Sequence, residues 1–214
     1  MNYLFALVLI FTPAPAIRQA ADLGPVVTDV ESHLNSGHPY RDADRITWVH
    51  EGTHGVNSYL RNRHGCPAFY CLNNLAVLMP EPATTLAQVA GRVPVSLRGE
   101  VYNLYLVQMQ SYWNDQPSYV FDEWIAYTNG AEARQRLGIA DRGETLRYAS
   151  EFIAYAACVA WASGSTDPQM KAFFKWQTAR VIKLGGRIQM DDAGLRVFIR
   201  NYCGPRWTKE TLGF

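Results

Sequence analysis

The chain has 214 residues, 48% of them apolar, with twelve Tyr, nine Phe and six Trp, enough for one domain with a substantial core. A net charge of +1 with no basic block excludes nucleic-acid binding through an electrostatic footprint. No solenoid-period repeat and no low-complexity tract occurs.

Residues 4–11 form an apolar run of eight, too short for a bilayer span, which takes about 20 residues. Thr12-Pro13 breaks it, and Ala14-Pro15-Ala16 is a small-x-small cleavage pattern. A signal peptide over 1–16 is expected, although no Lys or Arg precedes the apolar run. It leaves a single domain over 17–214, secreted or periplasmic, with no stable membrane insertion after cleavage. The four cysteines fit that compartment. Of the three pairings they allow, Cys66–Cys71 and Cys158–Cys203 are favoured. The first would close a short loop around Pro67, and the second would tie the C-terminal segment to a central helix.

A helix is expected over 25–35, then a turn at His38-Pro39-Tyr40. Asp42 or Asp44 is placed to cap a longer helix that runs to about 63 and stops at Gly65. That helix carries His50-Glu51-Gly52-Thr53-His54. Two histidines four apart share one helical face and can reach one metal ion. Glu51, one residue after the first histidine, then stands beside a metal-bound water rather than on the metal. Zinc lowers the pKa of such a water from about 15.7 toward 7, and a carboxylate can take its proton. The spacing is that of a metal-assisted hydrolase. Gly52 counts against the helix by about 0.8–1.0 kcal/mol relative to Ala, so tertiary packing must hold it. All five histidines, at 33, 38, 50, 54 and 64, fall in one window. His33, His38 and His64 match no ligand spacing and read as exposed or capping residues.

Residues 68–72 and 75–79 around Asn73-Asn74 read as a hairpin. Thr84 and Thr85 can cap a short helix up to Arg92, which Val93-Pro94 breaks. A helix rich in Tyr, Leu and Met follows, from 97 or 100 to about 113, with an aromatic stripe that reads as core. Helices are expected over 118–137 (unless frayed at Asn129-Gly130), 144–162, 168–184 and 191–202. The tail from Cys203 reads as irregular. The fold class is α+β and predominantly helical, with one small sheet.

The His50–His54 segment resembles the active-site helix of the zincin metallopeptidases. The resemblance covers about two dozen residues and implies a compact zincin-like domain with one catalytic Zn2+. The metzincin branch places a Gly and a third His where this chain has Asn57 and Leu60, and so does not fit. The gluzincin branch takes its third ligand from a Glu-x-x-Ala segment on another helix. Glu123-Trp124-Ile125-Ala126 and Glu151-Phe152-Ile153-Ala154 both offer one. Glu151 lies in an almost wholly apolar helix, where an unpaired carboxylate is costly and where Arg147 is an available partner. Glu123 is therefore preferred. His50, His54 and Glu123 would leave a fourth position open, as catalytic zinc sites do. Tyr119 is the first choice for the oxyanion donor that gluzincin-like enzymes use, and Tyr155 the second. Asp122 and Asn57 are candidates to hold the histidine rings. Thermolysin-like enzymes carry an Asp four residues after the ligand Glu, where this chain has Tyr127. The hairpin has two readings: an edge strand that binds extended peptide, or a purely structural element.

The reaction implied is peptide-bond hydrolysis with Glu51 as general base, on a protein or peptide substrate. Two alternatives remain open at this level: a zinc hydrolase of another amide, such as a cell-wall amide, and a catalytically silent zincin-like binding or structural protein.

Overall fold

The computed structural model describes residues 8–9, 24–35, 42–140, 144–188 and 190–214. The expected signal segment, apart from Val8–Leu9, and the turn around His38 lie outside the described residues. The fold is predominantly helical with one small antiparallel sheet.

The helix that carries the two histidines, α2 (Arg45–His64), begins and ends as its sequence directs. The Asp44 carboxylate accepts from the backbone N–H groups of Ile46 and Thr47 at 3.2 and 3.3 Å, and Gly65 closes the helix at φ 67°. The cost of Gly52 is met by α1 (Pro25–His33). A Cβ at position 52 would stand 2.8 Å from Val30 Cγ1, so the missing side chain lets α1 lie directly on α2. Val26, Val27 and Val30 bury there against Val49 and Val56.

Strands β2 (Ala68–Tyr70) and β3 (Leu75–Leu78) form the expected hairpin, with Phe69 opposite Val77. Its turn holds Leu72, Asn73 and Asn74 at positive φ. Asp29 and His33 of α1 clamp it: Asp29 Oδ2 accepts from Asn73 N at 2.9 Å, and His33 Nε2 lies 2.7 Å from Asn74 Oδ1. His33 is thus a latch for the turn, and His64 is exposed. The backbone of β1 (Val8–Leu9) pairs with β3, giving the order β1-β3-β2.

Helix α6 (Tyr119–Arg136) runs unbroken through Asn129-Gly130. Asn129 is buried, and its side-chain amide donates to Thr53 Oγ1 of α2 at 3.1 Å and to Tyr70 O of β2 at 3.0 Å. These bonds weld α6 to α2 and the hairpin, where the bare sequence suggested fraying. Helix α7 (Glu144–Ser163) is buried over most of its circumference, as an all-round apolar helix must be. Against it pack α3 (Leu86–Arg92), α6, α8 (Pro168–Lys183) and α9 (Ala193–Cys203). Trp124, Phe152, Phe173 and Phe174 fill the centre.

Two expectations need correction. The tail is helical: Gly204 at φ 91° turns the chain, and Pro205 begins α10 (Pro205–Leu212) at the first helical position. Neither expected disulfide forms, and all four thiols are free. The Cys71 thiol instead donates to Phe69 O at 3.4 Å. Burial pushes Cys71, Cys158 and Cys203 up to about 12, so these thiols are inert core residues. Among the described residues no helix is long and apolar enough to cross a membrane.

Candidate metal centre

Helices α2 and α6 cross so that His50, His54 and Glu123 converge. His50 Nε2 and His54 Nε2 are 3.1 Å apart, and Glu123 Oε2 lies 3.5 Å from the first and 3.6 Å from the second. A tetrahedral zinc with bonds of about 2.0–2.1 Å has ligand atoms about 3.3–3.4 Å apart. The three atoms therefore mark one face of such a tetrahedron and leave its fourth vertex open. Glu123 is 7% exposed, and its Oε2 has no hydrogen-bond partner. An orphaned buried carboxylate oxygen is costly, and a cation at this point would satisfy it. Donor set, spacing and orphaned oxygen all fit zinc, and this trio alone forms such a group among the described residues.

The support behind the ligands is also built. His54 Nδ1 lies 3.1 Å from Asp122 Oδ2, an arrangement that donates the Nδ1 proton and turns the Nε2 lone pair toward the trio. The other Asp122 oxygen accepts from the Asn57 side-chain amide, and Asn57 Oδ1 accepts from Tyr70 N at 2.6 Å. The hairpin thus anchors α2 from behind. This settles its role at that point, because the outward N–H and C=O of Tyr70 are taken by Asn57 and Asn129. The second reading of the hairpin, a structural one, is the one that fits: β2 is fully buried and none of β2 or β3 lines the cleft described below.

Electrostatics separate the two imidazoles. Burial, reinforced by His54, depresses His50 to about 4, so it is neutral and ready to ligate. Burial opposes the charge on His54 as well, but the Asp122 and Glu123 carboxylates outweigh it and hold His54 well above 6.5. Asp122 is held low against its own burial by His54, Asn57 and Arg61.

The trio opens on a cleft of about 480 Å³ lined on one side by His50, Glu51, His54, Ser58 and Arg61 of α2. Tyr119, Asp122 and Glu123 of α6 also line it, and Leu104, Tyr105, Met109 and Trp113 form a further wall. That wall is the expected helix over 100–113, but its middle is π-helical, Asn103–Gln108, between α4 (Glu100–Tyr102) and α5 (Gln110–Trp113). Such segments often sit at functional sites. Here the wider turn carries Leu104 and Tyr105 to the cleft.

Tyr119 lies in the cleft, stacked on Trp113 with ring centroids 5.3 Å apart. Burial and the Glu123 carboxylate push its phenol far up, so it stays a proton donor at all ordinary pH values. Tyr155, the second choice, is elsewhere: its hydroxyl donates to Glu151 Oε2 and Leu97 O, both at 3.2 Å. Glu151 also accepts from Arg147 at 2.8 Å, so the Arg that the sequence offered does pair with it. The cleft residues missed at the sequence level are Tyr105 and Arg61; Tyr127, four residues after Glu123 in the sequence, stands behind His50. Tyr105 and Tyr127 share a short hydroxyl–hydroxyl contact, and the Tyr127 ring lies 4.4 Å from that of His50. In the sequence Tyr105 reads as core with the rest of its stripe. Arg61 was detectable from its helical spacing after His54 and Ser58.

The chain matches no protein family, no curated protein and no solved structure among those compared.

Proposed function

We propose that the chain is a zinc-dependent peptidase that acts on protein or peptide substrates. The observation that carries the reading is the trio itself: three ligand atoms at tetrahedral spacing, one of them an orphaned buried carboxylate oxygen, opening on a cleft that Glu51 also lines. Bound there, zinc would supply a Lewis acid that polarises a carbonyl oxygen and acidifies water. His50, His54 and Glu123 would hold it, and Asp122 would fix the His54 ring. Glu51 would take a proton from the attacking water and pass it to the leaving amine nitrogen. The Tyr119 hydroxyl would donate to the oxygen that becomes negative as the carbonyl carbon turns tetrahedral. An extracytoplasmic location is part of the proposal, and with all four thiols free it rests on the N-terminal segment.

Elemental analysis of purified protein tests the premise, and a peptide-library digest tests the activity. One zinc per chain is expected, with hydrolysis that falls about 10²–10⁴-fold in Glu51→Gln while zinc content is unchanged. No stoichiometric zinc, even after zinc is added, would overturn the reading. Hydrolysis that survives Glu51→Gln would remove the role given to that residue.

A further inference from the structure

Five α2 side chains line the cleft: His50, Glu51, His54, Ser58 and, last along the helix, Arg61. The last is chemically unlike the rest, a permanent cation on the metal-bearing face. Its Nε is buried and has no hydrogen-bond partner, and among the described residues no ion pair reaches it. Asp122, the cleft carboxylate whose pKa Arg61 helps to hold low, is already engaged at one oxygen by His54 and at the other by Asn57. The same cleft is lined by Leu104, Met109 and Trp113, which carry no charge. A guanidinium with unused donors is a fork for a carboxylate.

We propose that Arg61 receives a carboxylate of the substrate, whose adjoining apolar residue packs on the Leu104–Met109–Trp113 wall. This deepens the peptidase reading and rests on it. Seven residues separate His54 from Arg61, or about 10 Å of helix axis, and the Arg61 stem leans back toward the N-terminus of α2. The carboxylate therefore sits roughly one to two extended residues from the bond held at the trio. Either a free C-terminal carboxylate or an Asp or Glu side chain supplies that chemistry.

The test uses zinc-loaded full-length Glu51→Gln protein, which binds without turnover, with Arg61 native, Arg61→Met or Arg61→Lys. Calorimetric titration compares acetyl-Ala-Phe-Leu as free acid, the same peptide as its amide, and acetyl-Ala-Phe-Glu amide. With Arg61 native, at least one carboxylate peptide should bind about 10- to 100-fold tighter than the neutral amide. Which of the two does so identifies the source. Arg61→Met should abolish that preference at unchanged zinc content and melting temperature, and Arg61→Lys should restore part of it. Equal binding of all three peptides to the protein with native Arg61 would overturn the inference. So would a preference that persists in Arg61→Met, which would place the carboxylate on the zinc. Failure of the peptidase reading is separately visible as absent zinc. The same titrations on zinc-free protein then read Arg61 alone, and loss of the preference in Arg61→Met supports a carboxylate-binding cleft without hydrolysis.

Discussion

Helices α6 and α7 lie side by side, and each carries a Glu-x-x-Ala segment, yet the two glutamates have opposite fates. Glu151 on α7 is fully engaged: Oε1 accepts from Arg147 at 2.8 Å and Oε2 from Tyr155 at 3.2 Å. Glu123 on α6 is more deeply buried, and its Oε2 has no hydrogen-bond partner while it faces two imidazole nitrogens. The difference lies in neighbours and not in the local motif. An arginine four residues upstream converts one glutamate into an ordinary helix-surface pair. The crossing with α2 gives the other nothing but ligand atoms. A carboxylate that the fold buries and leaves unsatisfied is the one to assign to a cation.

The sharpest way to break this comparison is to remove each carboxylate in turn. Glu123→Gln should weaken zinc binding by more than the about 10- to 100-fold seen when outer partners are removed, because it takes away a ligand oxygen. Glu151→Gln should leave zinc affinity unchanged. Competition with a fluorescent chelator measures both. If Glu151→Gln instead loses zinc, the assignment of the third ligand is wrong.

The next effects concern the residue beside Glu123. Asp122→Asn should weaken zinc by about 10- to 100-fold, because the His54 ring loses its anchor. It should also change the pH dependence. Without metal, Asp122 and Glu123 hold His54 well above 6.5, so it is protonated at neutral pH. Zinc must displace that proton to gain the Nε2 lone pair. Affinity should therefore fall about tenfold for each pH unit below the His54 pKa and level off above it. His50, at about 4, is already neutral over pH 5–8 and adds nothing to the slope. In Asp122→Asn the slope near neutrality should flatten, because the charge that keeps the proton on His54 is gone. A slope unchanged by the substitution would assign the released proton to another group.

Much of the site was legible in the sequence because its rules are local. Asp44 and Gly65 bound α2 as caps do, the four-residue spacing places His50 and His54 on one face, and the cost of an unpaired carboxylate favours Glu123 over Glu151. What was not legible depends on distance or on context. The π-helical turn that carries Tyr105 into the cleft has the same apolar stripe as an ordinary helix. Gly204-Pro205 reads as a stop, but a glycine at positive φ followed by proline also starts α10. Disulfide pairing needs Cα separations, which residue order does not contain. That Arg61 Nε is left without a hydrogen-bond partner is likewise a property of how the fold places its neighbours.

The smallest expected effect sharpens the comparison from the other side. Glu151→Gln should change stability by no more than about 0.5 kcal/mol in denaturant unfolding of zinc-free protein, the usual worth of an exposed i,i+4 helix pair. Arg147 is 47% exposed at its side chain, and it lies N-terminal to the glutamate, the less favourable orientation for such a pair. A glutamine at 151 also keeps a carbonyl oxygen to accept from Tyr155. Glu123→Gln should move the same measurement further, and toward stability. With no metal present and at a pH where His54 has lost its proton, the native state gains a neutral amide where it held a buried carboxylate oxygen without a hydrogen-bond partner, and the desolvation cost of that charge disappears. At lower pH the gain shrinks, because the same change gives up the attraction to protonated His54, 3.6 Å away. A residue that stabilises the metal-free fold when neutralised, and abolishes metal binding by the same change, is kept charged for the cation and not for the fold.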